Sequence, residues 1–181
     1  KGMEEFLNET EEAELSDAFW NAGLIQSLTT SVASSPSFKV YLAAQCKLKS
    51  RGFLSKDITI HNLIEHRGDI HHIFPKDFLK KKGLTKGKYN QIANYVYTQS
   101  EVNISISNKE TSVYLGEVLE QCNGGKQKYG GITDKDDLMK NLEENDIPQE
   151  ILDFKFENYE DFLKLRRKLI SQKLKKYYSD L

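Results

Sequence analysis

Helical periodicity runs through most of this chain, and two short β-like runs interrupt it, Asp69 to Phe74 and Tyr95 to Tyr97. They limit any sheet to a small two-stranded element inside a mostly helical architecture. The first run lies between a turn at Gly68 and Pro75, whose ring lacks the amide hydrogen needed to continue a ladder. It also carries His71 and His72, and all 4 histidines (His61, His66, His71, His72) fall within one stretch from 61 to 72. Imidazole changes charge near neutral pH and is a common metal ligand. An adjacent pair of histidines between apolar residues, closed by a proline, therefore points to a hydrolytic metal site.

The helices follow from spacing. Leu15, Phe19, Leu24, Ile25 and Leu28 predict a helix over 13–33, broken by Ser34-Ser35-Pro36-Ser37. A second helix is expected over 38–49, and Asp57 is read as the cap of a short helix carrying Ile60, Leu63 and Ile64. Lys76 to Lys82 allows one or two helical turns before Gly83, and Tyr89 to Ala93 continues helically. The pattern turns helical again from Ser100. Thr111 to Gln121 follows, with Val113, Leu115, Val118 and Leu119 available for burial, and then 135–144. The last helix, 158–178, starts at Asn158 with acidic residues in its first turn, which suits the helix dipole. Its stripe of Phe162, Leu165, Leu169 and Leu174 is read as packing. Trp20, the tyrosines and Tyr114 in particular are also read as packing.

With 181 residues, 38% of them hydrophobic, the chain can bury one sizeable core. The expected class is α+β, mostly α-helical, in three parts: a helical portion over 1–64, a small core of two strands and a helix over 65–121, and a helical portion over 122–181. No apolar run is long enough to span a bilayer, and no leader sequence is recognisable. The start, Lys-Gly-Met-Glu-Glu, reads as a piece of a longer protein. Cys46 and Cys122 are far apart and form no C-x-x-C pair, which excludes a zinc ribbon and a disulfide framework and favours free thiols in a cytoplasmic protein. Net charge is −1, unlike a generic nucleic-acid binder, yet the segment from Lys76 to Lys88 carries six lysines against Asp77. Such a local basic surface can hold phosphates next to a site, or can simply be a solvated face.

Downstream of the histidines, Asn94 opens the second β-like run and Asn103 falls inside the helix that follows. Strand, strand and helix make a minimal scaffold for a metal held between a strand and a helix. Phosphodiester hydrolysis on it needs a base, a metal and donors for the phosphate. His72 is the candidate base, His71 and Asn103 are candidate ligands, and nearby lysines are the candidate clamp.

The run Asp69-Ile70-His71-His72-Ile73-Phe74-Pro75-Lys76 resembles the D-x-[DH]-H-I-x-P motif of HNH (His-Me finger, ββα-metal) endonucleases. Asn90 to Tyr97, then Asn103 and Asn108-Lys109, resembles the rest of that domain. Ile92-Ala93-Asn94, Ser107-Asn108-Lys109 and Ser112-Val113-Tyr114-Leu115 look like the C-terminal nuclease domain of two-domain restriction proteins, in which a ParB/sulfiredoxin-like nucleotide-hydrolysing domain comes first. The resemblance implies a DNA endonuclease that restricts foreign or modified DNA with one divalent cation. It makes His72 the general base and Asn94 the residue that orients the site loop. His71, Asn103 and Asp69 become the metal shell, and Lys109, with Lys76, Lys80 and Lys81, becomes a nucleic-acid contact. Many members have Asp where His71 stands. A softer imidazole there admits Zn²⁺, Mn²⁺ or Ni²⁺ beside Mg²⁺.

Adjacent residues on a strand point to opposite faces, so both imidazoles line one pocket only if the site straddles the strand. Two other readings stay open. One is a catalytically inactive HNH-like module that binds nucleic acid or a partner domain. The other is a helical interaction domain with an incidental histidine cluster. His61 and His66 are read as surface or half-buried, with His66 the better candidate for a substrate contact.

Overall fold

The computed structural model describes residues 2–66 and 68–181. The helices are α1 (Met3–Glu14), α2 (Leu24–Ser27), α3 (Pro36–Lys47), α4 (Ile60–Glu65), α5 (Lys76–Lys81), α6 (Lys86–Tyr89), α7 (Ser100–Ile106), α8 (Thr111–Cys122), α9 (Lys135–Glu144) and α10 (Tyr159–Ser179). Strands β1 (Asp69–His72) and β2 (Tyr95–Thr98) form one antiparallel pair, with His71 opposite Val96 and His72 opposite Tyr95. The protein is therefore α+β, mostly helix around one two-stranded sheet. Among the described residues no helix is long and apolar enough to cross a membrane.

Several helix boundaries differ from the sequence reading, each for a local reason. The helix expected over 13–33 is two pieces. The first, α1, ends at Glu14 and buries no residue. Ser16 then restarts the chain, its hydroxyl accepting from Phe19 N–H at 3.3 Å ahead of a π-helical turn over Phe19–Gly23 that leads into α2. Asp57 does not cap α4. Thr59 does, in a reciprocal box with Asn62, and the Asp57 side chain stays exposed. On α8 the buried face contains Tyr114, not Val113, which is 49% exposed. Ser35 caps α3 with Pro36 in the first turn, and Gly83 ends the lysine-rich segment after α5 at φ 87°, a conformation that suits glycine.

Two apolar clusters make the core. One joins Phe53, Ile73, Phe74, Val96, Val102, Tyr114, Val118 and Phe162 beneath the sheet and α7. The other joins Trp20, Leu28, Phe38, Tyr41, Tyr95, Ile170 and Leu174. Helix α10 spans both, so its inward stripe is Phe162, Arg166, Ile170 and Leu174, while Leu165 is 38% exposed. Arg166 is fully buried at the junction and donates to the carbonyls of Ala93 (2.9 Å), Ile92 (3.3 Å) and Asn145 (3.1 Å). A buried guanidinium is tolerated only with such partners. Apolar spacing alone could not have marked an arginine as core.

The segment before α4 supports β2 from its outer edge. Phe53 N–H donates to Tyr97 O at 2.8 Å, and Thr98 donates to Phe53 O at 2.7 Å. Leu54 sits at φ 59°, an uncommon conformation for a non-glycine residue. Asn141 of α9 holds this turn by accepting from Leu54 N–H (2.8 Å) and donating to Gly52 O (3.0 Å). The sheet that carries the histidines is thus clamped along the outer edge of β2.

Candidate functional site

Strand alternation sends Asp69 and His71 to the face of the sheet covered by α7, and Ile70 and His72 to the opposite face. On the first face, Asn103 reaches across from α7. Its amide nitrogen donates to Asp69 Oδ2 at 3.1 Å, which turns its oxygen, Oδ1, towards His71 Nδ1 at 2.7 Å. An amide oxygen only accepts, so His71 holds its proton on Nδ1. The remaining nitrogen, Nε2, is buried and has no hydrogen-bond partner among the described residues. Burial drives the His71 pKa down to about 4, against smaller opposing effects of Asn103 and Asp69. The ring is therefore neutral at pH 7, the form that binds cations.

On the opposite face, His72 is half-buried, with its ring edge-on to Tyr95 at 5.0 Å. Its Nε2 lies 2.9 Å from Asn90 Oδ1. The acceptor oxygen again assigns the proton, so Nε2 donates and Nδ1 keeps the lone pair. Burial lowers the His72 pKa, and the charge of Lys76 adds to the effect. A neutral imidazole with a fixed tautomer is suited to accept a proton from water.

Asn94 touches neither imidazole. It is fully buried and binds backbone, accepting from Phe74 N–H at 2.9 Å and donating to Phe74 O (3.1 Å) and Tyr89 O (3.2 Å). Its own carbonyl accepts from Ile73 N–H at 2.9 Å. Tyr114 and Thr111 of α8 both donate to Ile73 O. The turn immediately after His72 is therefore tied from two sides, and Asn94 acts on the loop, not on the base.

Asn90, which sequence spacing did not single out, is the residue that contacts His72. Its signal is its place at the head of the run Asn90 to Tyr97, at the end of α6, and no side-chain periodicity marks it. Lys76 and Lys81 are exposed on α5, and Lys80 is exposed there too, paired with Asp77 at 3.3 Å. Lys109 is engaged elsewhere. It pairs with Glu117 at 2.7 Å and hydrogen-bonds Tyr129, and the bonds that Glu117 accepts from Lys109 and, second, from the Tyr129 hydroxyl hold its carboxyl at about 2. His61 lies on α4, 3.6 Å from Glu65, and His66 is exposed. Neither belongs to the set around His71. Both cysteines are free and half-buried.

The set Asp69, His71 and Asn103 fits a divalent cation by donor type: one carboxylate, one imidazole and one amide oxygen. The 2.7 Å hydrogen bond from His71 Nδ1–H to Asn103 Oδ1 holds the two side chains together and leaves Nε2 as the His71 atom with a lone pair for an ion. Among the described residues no three His, Cys, Asp or Glu side chains form a metal-binding group, so any such site here depends on the carboxamide of Asn103.

No family model matches this chain, and no solved structure matches it. It is similar to an uncharacterized protein of Methanocaldococcus jannaschii, 32% identical over 123 residues, which is 62% of this chain. The chain spans about a fifth (21%) of that relative's length.

Proposed function

We propose that this domain is a metal-dependent DNA endonuclease of the HNH type, acting in restriction of foreign or modified DNA. One observation carries the reading. His71 on β1 and Asn103 on α7, 32 positions apart, meet at 2.7 Å beside Asp69, while the neighbouring His72 is held with a free lone pair. A core histidine has no need of that arrangement.

In this reading Asp69, His71 and Asn103 would hold the cation, which would supply neutralising charge to the phosphate and the leaving oxygen. His72 Nδ1 takes a proton from water. The water oxygen forms a bond to phosphorus, the bond from phosphorus to the 3′ oxygen breaks, and that oxygen takes a proton from solvent. The products are a 5′-phosphate and a 3′-hydroxyl. Lys76, Lys80 and Lys81 draw the backbone in by charge, so DNA binding weakens steeply with salt. A nucleotide-hydrolysing domain of the same protein is the proposed partner, and the cytoplasm the proposed location.

Isothermal titration with Mn²⁺ tests the cation site. The unaltered protein is expected to bind one equivalent, and Asn103→Ala to weaken it at least tenfold. Equal affinity in both proteins would remove Asn103 from the shell, and no binding by either would leave only a non-catalytic module. Ni²⁺ or Zn²⁺ binding tighter than Mg²⁺ is the expected consequence of an imidazole at position 71.

A further inference from the structure

A cavity of about 410 Å³ is lined by residues that neighbour the candidate metal set along the chain: Asp57, Ile58, Asn62, Leu63, Gln99 and Glu101, together with His66, Gly68 and Ser100. That volume falls in the range of small-ligand clefts, roughly 300–1,000 Å³. It adjoins the site through the chain itself. Gly68 precedes Asp69, and Glu101 stands two residues before Asn103. Neighbouring Cα atoms are about 3.8 Å apart, so the cavity wall and the candidate metal set share the same two stretches of backbone.

The described lining is rich in carboxylate and amide groups. Asp57 and Glu101 are exposed carboxylates with no hydrogen-bond or ion-pair partner among the described residues, and Thr59, not Asp57, caps α4. No lysine or arginine lines the cavity among the described residues. The amides are oriented as well. Gln99 Oε1 accepts from Ser55 at 2.9 Å, and Asn62 Oδ1 accepts from Thr59 at 2.6 Å. Both side chains therefore have NH₂ groups left to donate. Ile58 and Leu63 supply an apolar wall. Leu63 packs so close to Gly68 that a Cβ there would lie 2.6 Å from Leu63 Cβ, which keeps the cavity edge free of a side chain.

Free carboxylates, free amide donors and an apolar wall match a flat, uncharged ring with an amino group next to an acceptor nitrogen. We propose that this cavity receives a nucleobase carrying an exocyclic amine, from a strand whose phosphate lies at Asp69, His71 and Asn103. The amine donates to Asp57 or Glu101, and the ring nitrogen or carbonyl accepts from Gln99 or Asn62. Carboxylate contacts to cytosine N4 are a known form of base readout, and enzymes that extrude a base read its pairing edge in this way. The inference rests on the nuclease reading and adds to it a source of base preference.

Cytosine and thymine have the same ring size but differ in this amine, so short labelled oligo-dC and oligo-dT test the cavity. Fluorescence anisotropy with the whole chain, in chelator at neutral pH and low salt, reads binding without cleavage. Oligo-dC is expected to bind about tenfold tighter than oligo-dT. That ratio should collapse towards one in the double variant Asp57→Asn, Glu101→Gln, which changes two exposed side chains isosterically. Equal affinity in the unaltered protein, a ratio that survives the substitutions, or no binding of either strand would each overturn the cavity assignment. A preserved preference with no plasmid cleavage in any metal would instead overturn the nuclease reading alone.

Discussion

His72→Ala is expected to abolish nicking of supercoiled plasmid, lowering the rate by about 10²- to 10⁴-fold, the usual worth of a positioned general base. The side chain is half-buried against Tyr95 and Tyr89, so truncation leaves a small gap and no orphaned charge. Folding should survive, and a circular-dichroism melt should show it. Mn²⁺ binding should survive too, because Asp69, His71 and Asn103 lie on the other face of β1. That combination (intact fold, intact cation binding, lost cleavage) separates a base from a ligand. Since burial and Lys76 lower the His72 pKa, the base stays deprotonated below the ordinary 6.5, and the acid limb of the rate profile should lie under pH 6.5. Asn90→Ala should slow nicking about tenfold without abolishing it, because the ring keeps its place but loses the contact that fixes its tautomer. Undiminished nicking by His72→Ala would dismiss His72 as the base.

The parts of this molecule visible in its sequence are those specified by short-range chemistry. Pro75 and Gly68 bound the first strand, and the spacing from His71 to Asn103 allows one strand and one helix to meet. Residues whose roles depend on distant elements were not visible. Arg166 occupies a position that any apolar pattern would give to leucine, and only the carbonyls of Ile92, Ala93 and Asn145 explain it. Asp57 and Thr59 are both good caps by type, and the choice between them follows from the reciprocal bond of Thr59 to Asn62. The His-His pair reads as one cluster along the chain, yet the pleat divides it between two faces with separate partners, Asn103 for one ring and Asn90 for the other. Asparagines recur in these roles because a carboxamide offers one donor group and one acceptor, and contact with one partner dictates what it presents to the next.

That logic makes Asn94 the most sensitive position for stability. Its side chain satisfies three backbone groups in a fully buried place: the N–H and O of Phe74 and the O of Tyr89. Asn94→Ala removes the partner of all three buried groups. Each buried polar group left unpaired costs about 1–3 kcal/mol, so a loss of about 3–5 kcal/mol is expected, against total stabilities of about 5–15 kcal/mol for ordinary domains. Asn94→Asp should do no better despite its identical shape, because a carboxylate oxygen would replace the donor facing two carbonyls and place a charge in an apolar interior. Urea denaturation followed by circular dichroism reads the effect as a lower midpoint. Nicking should fall as well, even at temperatures where the variant stays folded, since Phe74 is two residues from His72 and the released turn no longer fixes the end of β1. A midpoint shift worth less than about 1 kcal/mol would mean that Arg166, Thr111 and Tyr114 hold this turn without Asn94.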